Sequence, residues 1–322
     1  MVQNESFFES YDGTKLSLYR WSGAEENDPG FQKRAVLHIV HGMAEHAFRY
    51  RFLAEKLTSA GIEVWAADQR GHGKTANLSV NAPGRGGLLG HCADGNSFNI
   101  VTKDVHALNC EIRKTRGNIP LFLLGHSWGS FIVQNYIEKY SNELDINGCI
   151  LSGTRGPGDF KVKAGIPFLT ILALLRGQRK GSSMAKSLAD GQYDKPFKPN
   201  RTPFDWLSRD ENEVDKYADD PFCGKLCSTG FYRDLAKGLY SIHRAKAMAK
   251  IKRDLPVYVF SGSADPVGDM GASPTALVNE YRHLGIGDLE FVLYPGARHE
   301  TFNETNREEV MDNLLSWINK RC

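Results

Sequence analysis

Residues 121–130 read Leu-Phe-Leu-Leu-Gly-His-Ser-Trp-Gly-Ser, and this stretch decides the fold. Leu121–Leu124 is a short apolar run of the kind that forms a strand buried on both faces. It runs straight into Gly125-His126-Ser127-Trp128-Gly129, after which Phe131, Ile132, Tyr136 and Tyr140 mark an amphipathic helix. A strand that turns sharply into a helix exposes the residue at its apex, here Ser127. Such a turn is crowded and demands small neighbours, which the glycines two before and two after supply. Alone, G-x-S-x-G is a weak match, because glycine and serine are common. Between a strand pattern and a helix pattern it points to Ser127 as a nucleophile presented above the carboxyl ends of the strands.

The same alternation extends in both directions. Upstream, Ser6–Glu9 and Lys15–Trp21 read as an antiparallel pair joined at Asp12-Gly13. Ala35–Val40 and Ile62–Ala67 read as buried strands, separated by a helix carrying Tyr50, Leu53 and Leu57 and stopped by Gly61. Val101, Val105, Leu108 and Ile112 mark a further helix. Downstream, Ile146–Leu151, Pro256–Phe260 and Leu289–Tyr294 complete the strands. Ser273-Pro274 reads as the opening of one late helix, and Thr305 with Glu308 as a capping box for the last. Strands alternating with helices predict an α/β chain, with a mostly parallel central sheet and helices on both faces. Between about 154 and 250 the alternation breaks for far longer than an ordinary connection. The expected organisation is therefore a core of residues 1–153 and 251–322, interrupted by a mainly helical cap of residues 154–250.

The 322 residues are 41% hydrophobic, enough for a full core, with a nearly balanced formal charge of +2. The charges are interspersed, so there is no basic stripe for nucleic acid. Met1–Ser10 lacks a basic start and a long apolar run, so no secretory signal is expected there. Nor does any stretch reach the length of a membrane span. Six cysteines without a repeating framework suit reduced thiols, and the expected location is cytoplasmic. Cys223 and Cys227 lack a nearby second pair that would complete a zinc set, and they read as ordinary residues. Nothing in the sequence specifies an oligomeric state.

A serine hydroxyl needs a positioned base. Of ten histidines, His38 lies within a strand, His126 should point away from the apex, and His106, His243 and His283 fall in helical patterns. His299 follows the last strand in the loop Pro295-Gly296-Ala297-Arg298, where it can reach back over Ser127. Its orienting carboxylate is read as Asp265, which follows the strand ending at Phe260 and gives the chain order Ser, Asp, His. Asp269 is the nearest competitor and Asp159 a second. A tetrahedral oxyanion needs two amide donors. The N–H of Trp128 is one candidate, and the N–H of Met43, in the loop His41-Gly42-Met43-Ala44-Glu45-His46, is the other.

Together these segments resemble the monoacylglycerol lipase and lysophospholipase family of α/β hydrolases. The resemblance rests on His41-Gly42-x-x-Glu45-His46, Asp68-x-Arg70-Gly71-His72-Gly73, Gly125-His126-Ser127-x-Gly129, and the Asp265 and His299 segments. It covers nearly all of the core, and five segments in combination are far more specific than any one. It implies an α/β-hydrolase fold, a Ser127–Asp265–His299 triad, an oxyanion hole from Met43 and Trp128, and no metal or organic cofactor. Arg70 and His72 are read as scaffold. Members often carry methionine and a second glycine where this chain has Trp128 and Ser130, and a bulkier Trp128 would narrow the acyl site.

Within the cap, Ile166–Leu175 is densely apolar and is followed by Arg176, Arg179 and Lys180. A short helix here would line an acyl tunnel through Ile166, Phe168, Leu169 and Leu172, lie transiently on a membrane surface, or simply pack the cap onto the core. The region around 195–209 should be irregular. The expected function is a serine carboxylic ester hydrolase acting on a small acyl ester such as a monoacylglycerol or lysophospholipid. The alternatives are a short-chain esterase, an aminopeptidase-like amide hydrolase, and a non-catalytic binding protein on the same scaffold.

Overall fold

The computed structural model describes residues 1–23, 33–140, 142–143, 146–157 and 160–322. Among them are eight strands: β1 (Val2–Glu9), β2 (Lys15–Ser22), β3 (Ala35–Val40), β4 (Ile62–Ala67), β5 (Leu121–His126), β6 (Gly148–Ser152), β7 (Val257–Gly262) and β8 (Leu289–Tyr294). They form one sheet in the order β1-β2-β4-β3-β5-β6-β7-β8. The β1–β2 and β2–β4 pairings are antiparallel and the rest parallel. Every residue of β3, β4 and β5 is buried, as their near-continuous apolar sequences require of strands covered on both faces.

Helices α1 (Arg51–Ser59) and α10 (Arg307–Asn319) cover one face. The other is covered by α2 (Ser97–Arg116), α3 (Trp128–Lys139) and α9 (Ala272–His283). Strand β5 runs two residues past its apolar stretch, because Gly125 pairs with Leu151 and His126 with Ser152. The strand therefore delivers Ser127 with no intervening loop.

Two expected helix starts are corrected. Helix α9 begins at Ala272 behind Gly271, whose φ of +87° closes the preceding turn. The Ser273 hydroxyl lies inside the first turn and accepts from the Gly156 N–H at 3.0 Å. Helix α10 begins at Arg307 without a side-chain cap, so Thr305 and Glu308 form no capping box. Thr305 turns instead to Glu304, a buried carboxylate that also receives Arg209 and the Arg298 N–H.

Between β6 and β7 lie α4 (Phe160–Arg176), α5 (Ser183–Asp190), α6 (Glu211–Asp219), α7 (Thr229–Ile242) and the single turn α8 (Ala245–Met248). Helix α4 is longer than its apolar run implied, extending back to Phe160 with Pro167 inside it. Residues 195–209 hold only two short 3-10 turns. Leu169 and Leu172 of α4 and Phe231, Tyr232 and Leu239 of α7 join the apolar cluster that contains α2 and α3. Among the described residues no helix is long and apolar enough to cross a membrane.

Candidate active site

Ser127 occupies the strand-to-helix turn with φ +52° and ψ −123°, a backbone conformation that residues with a Cβ rarely adopt. Close packing explains its glycine neighbours. A Cβ on Gly125 would lie 2.5 Å from the Gly129 carbonyl oxygen, and one on Gly129 would lie 2.1 Å from that of Val40. The Ser127 N–H donates to Ser152 O at 2.9 Å, which ties the turn to β6. Ser130 carries a hydroxyl that bonds the Ser127 carbonyl at 2.5 Å and Thr154 Oγ1 at 2.8 Å. The turn is thus fastened to the start of the segment that leads towards α4.

The loops after β7 and β8 bring Asp265 and His299 together. Both are almost fully buried, and the His299 Nδ1–H donates to the two Asp265 carboxylate oxygens at 3.0 Å each. Burial alone would raise the Asp265 carboxyl. The charge and hydrogen bond of His299, the Val267 N–H at 2.8 Å and the Ser261 hydroxyl at 3.1 Å override it and hold the group below its usual range. For His299, burial alone would lower the imidazole, but Asp265 outweighs it and raises the group above its ordinary 6.5. Trp206 and His126 flank the His299 ring at 5.2 and 4.8 Å between centroids. His126 therefore borders the site rather than turning away from it, and burial with the nearby His299 charge lowers it to about 4. Asp269 lines the cavity without touching His299, and Asp159 lies outside the described residues.

Met43, Ser127, Trp128 and His299 open onto one cavity of about 790 Å³. Ser127 and His299 are not hydrogen-bonded to each other in this arrangement; such contacts often tighten only when substrate is bound. Trp128 is the first residue of α3, so its N–H has no intrahelical acceptor. Among the described residues the Met43 N–H likewise meets no protein acceptor. The turn around Met43 is set by Glu45, which accepts the Gly42 N–H at 2.5 Å and the Tyr50 hydroxyl at 2.9 Å. Arg49 joins Glu45 at 2.7 Å to Glu300, the residue after His299, which it meets in a two-pronged pair at 2.6 and 2.7 Å. The loop of Met43 and the loop of His299 are therefore cross-linked by one half-buried guanidinium. Sequence reading missed this, because its members lie up to 255 positions apart; only Glu45, within a quoted motif, gave a signal.

Arg70 is buried and paired with Asp12 and Asp104, joining the β1–β2 turn to α2. His72 stacks on the Trp128 ring at 5.2 Å and so supports the residue after Ser127. One group of metal-ligand type, His46, Asp220 and Cys223, has its donor atoms within 4.8 Å of one another. Within it His46 Nε2 and Asp220 Oδ2 are already paired at 3.0 Å.

Of the four expected acyl-binding residues, the structure places Leu169 at the cavity, beside Val162 and Gly165. Ile166, Phe168 and Leu172 are corrected. The residues of α4 that line the cavity are Phe160, Val162, Gly165 and Leu169. Ile166 and Leu172 pack into the apolar cluster on its flank, and Phe168 points outward, 43% exposed. Tyr193, Trp206 and Leu239 complete much of the apolar wall.

The family model described as "Serine aminopeptidase, S33" matches residues 32–306. A monoacylglycerol lipase of Mycolicibacterium smegmatis is 28% identical over 319 residues, covering 98% of this chain and 97% of that one. The monoglyceride lipase of Homo sapiens is 26% identical, over 96% of this chain and 88% of that one. Among solved structures, a thermostable carboxyl esterase from Bacillus coagulans in complex with glycerol superposes with a TM-score of 0.88 at 27% identity. That match covers 100% of this chain and 99% of the esterase.

Proposed function

The chain belongs to the serine aminopeptidase S33 family of α/β hydrolases and is a carboxylic ester hydrolase, and we propose that it cleaves monoacylglycerols and related single-chain esters through an acyl-enzyme on Ser127. His299 takes the hydroxyl proton as Ser127 Oγ attacks the ester carbonyl. Asp265 holds the imidazole in the required tautomer and stabilises its charged form. The oxyanion of the tetrahedral intermediate is received by the amides of Met43 and Trp128. His299 then protonates the departing alcohol, and water activated by the same imidazole releases the fatty acid.

The observation that carries this reading is the shared cavity. A serine at positive φ and a buried His–Asp pair open onto a space whose walls are largely apolar, of a size common for small-molecule sites. Residues 154–250 act as the cap that supplies those walls. The monoacylglycerol lipase relatives favour the ester over the aminopeptidase-like alternative. Outside the cavity, Phe168, Ile171, Leu174 and Leu175 of α4, with Met184 of α5, are exposed. This apolar face is the part of the cap that rests on a lipid surface.

Hydrolysis should be measured across monoacylglycerols, lysophosphatidylcholines and p-nitrophenyl esters of rising chain length. Ser127→Ala should lose at least about 10³-fold in kcat on every substrate. Turnover retained in that variant sinks the nucleophile assignment, and a preference for short chains moves the substrate away from lipids.

A further inference from the structure

The turn that presents the Met43 amide is not held by the core alone. Ala44 follows Met43 and has φ +55°, a left-handed conformation that a residue with a Cβ keeps only when its surroundings enforce it. Within the core, Glu45 anchors the turn through the Gly42 N–H. The Ala44 carbonyl, by contrast, is claimed from the cap. It accepts the Tyr217 hydroxyl at 2.9 Å and the Gly224 N–H at 2.9 Å, which together use both of its lone pairs. From the same stretch Asp220 pairs with His46 at 3.0 Å, two residues further along the turn. Three polar contacts from residues 217–224 thus converge on residues 44–46.

Tyr217 is itself fixed. It is buried, its ring packs edge-on against Phe204 at 5.0 Å, and the Arg49 guanidinium lies over it at 4.8 Å. The same Arg49 ties Glu45 to Glu300. The hydroxyl is therefore a rigid donor at the end of a locked ring, aimed at the Ala44 carbonyl.

We infer that Tyr217 is a positioning residue for the oxyanion hole: its hydroxyl, reaching from the cap, holds the Ala44 carbonyl and so fixes the direction of the Met43 amide. This rests on the reading of Met43 as an oxyanion donor. Its consequence is that the hole is complete only while residues 217–224 are seated on the core. Loss of the Tyr217 hydroxyl alone, with the ring left in place, lowers turnover rather than substrate affinity.

Tyr217→Phe removes the hydroxyl and keeps the ring, with its Phe204 and Arg49 contacts. Removing a whole oxyanion donor costs about 10²–10³ in kcat, and a misdirected one should cost about tenfold. KM should stay within about twofold, and the thermal midpoint and the acidic limb of the pH profile should not move. An alkyl trifluoromethyl ketone adds to the serine and places an oxyanion in the hole, so its affinity should fall by the same factor as kcat. Full kcat in the variant overturns the inference. So does a loss of kcat without loss of ketone affinity, or a rise in KM alone. Met43→Pro, which deletes the amide hydrogen, tests the underlying reading separately. If it keeps full kcat, Met43 is not a donor. If it loses about 10²–10³ while Tyr217→Phe loses nothing, the donor stands and the clamp falls.

Discussion

The loops after β7 and β8 and the helix α4 border the same cavity but are held in opposite ways. Asp265 and His299 are fixed by buried polar bonds that specify atom to atom where each side chain points. Helix α4 is held by apolar packing along one flank, and its outer face has no protein partner among the described residues. Polar bonds are directional and apolar packing is not, so the first region can preserve a reaction geometry and the second can only preserve a volume. The difference predicts that damage to the loops shows in turnover, whereas damage to α4 shows in substrate range and surface affinity.

The largest effect expected within this comparison is that of Asp265→Asn, which keeps the shape but removes the charge and fixes the wrong tautomer; kcat should fall by about 10⁴-fold. The pH dependence sharpens the point. His299 must be neutral to act as base, and Asp265 raises its pKa, so in the unaltered chain the acidic limb of kcat/KM should lie above pH 6.5. In the variant burial is opposed only by the smaller pull of Glu300 and Glu45, and the limb of the residual activity should move to lower pH. Stability follows the same signs. The raised His299 contributes fully below its ordinary 6.5 and fades as pH rises through its folded value. The lowered Asp265 contributes fully above its ordinary 3.8 and fades as pH falls through its folded value. The stability gap between the two proteins should therefore be widest between about pH 4 and 6.5. An acidic limb that stays in place in the variant would show that Asp265 does not tune the base.

What could be read from the sequence follows the same division. The strands were legible because burial on both faces leaves a near-continuous apolar signature, as in Ala35–Val40 and Ile62–Ala67. Ser127 was legible because close approach of Gly125 and Gly129 to neighbouring backbone forces glycine at both places. Asp265 and His299, read from chain order, lie in hydrogen-bond contact. The phase of α4 was not legible: a run apolar on all sides has no preferred face, and only tertiary packing selects Phe160, Val162, Gly165 and Leu169 for the cavity. Tyr217, Asp220 and Arg49 left no local trace, since contacts between distant segments impose no spacing. The helix starts at α9 and α10 failed for a related reason, as Ser273 and Thr305 found better partners in Gly156 and Glu304.

The next effect tests the volume itself. Leu169 is buried at the cavity wall, so Leu169→Trp fills space where an acyl chain would run. Misfit of one methylene is worth about 1–3 kcal/mol, so kcat/KM for sixteen- and eighteen-carbon esters should drop by at least about tenfold. Butyrate esters should keep theirs within about twofold. An equal fall for both classes would mean that α4 supports the fold rather than the acyl chain.

The smallest effect on turnover should come from the outer face. Leu174 and Leu175 are 77% and 82% exposed, so replacing both by serine removes almost no packing. Stability should change by no more than about 0.5 kcal/mol for each, and turnover of a water-soluble butyrate ester should be untouched. Binding to phosphatidylcholine vesicles is where the change should appear. Burying a leucine side chain in an apolar phase is worth about 1.5–3 kcal/mol, so losing even part of two such contacts should weaken partitioning by at least about tenfold. Activity on vesicle-borne monoacylglycerol should fall with it. Unchanged partitioning would mean that the bare face of α4 meets something other than lipid, and the contrast between a region that holds chemistry and one that holds a surface would lose its second half.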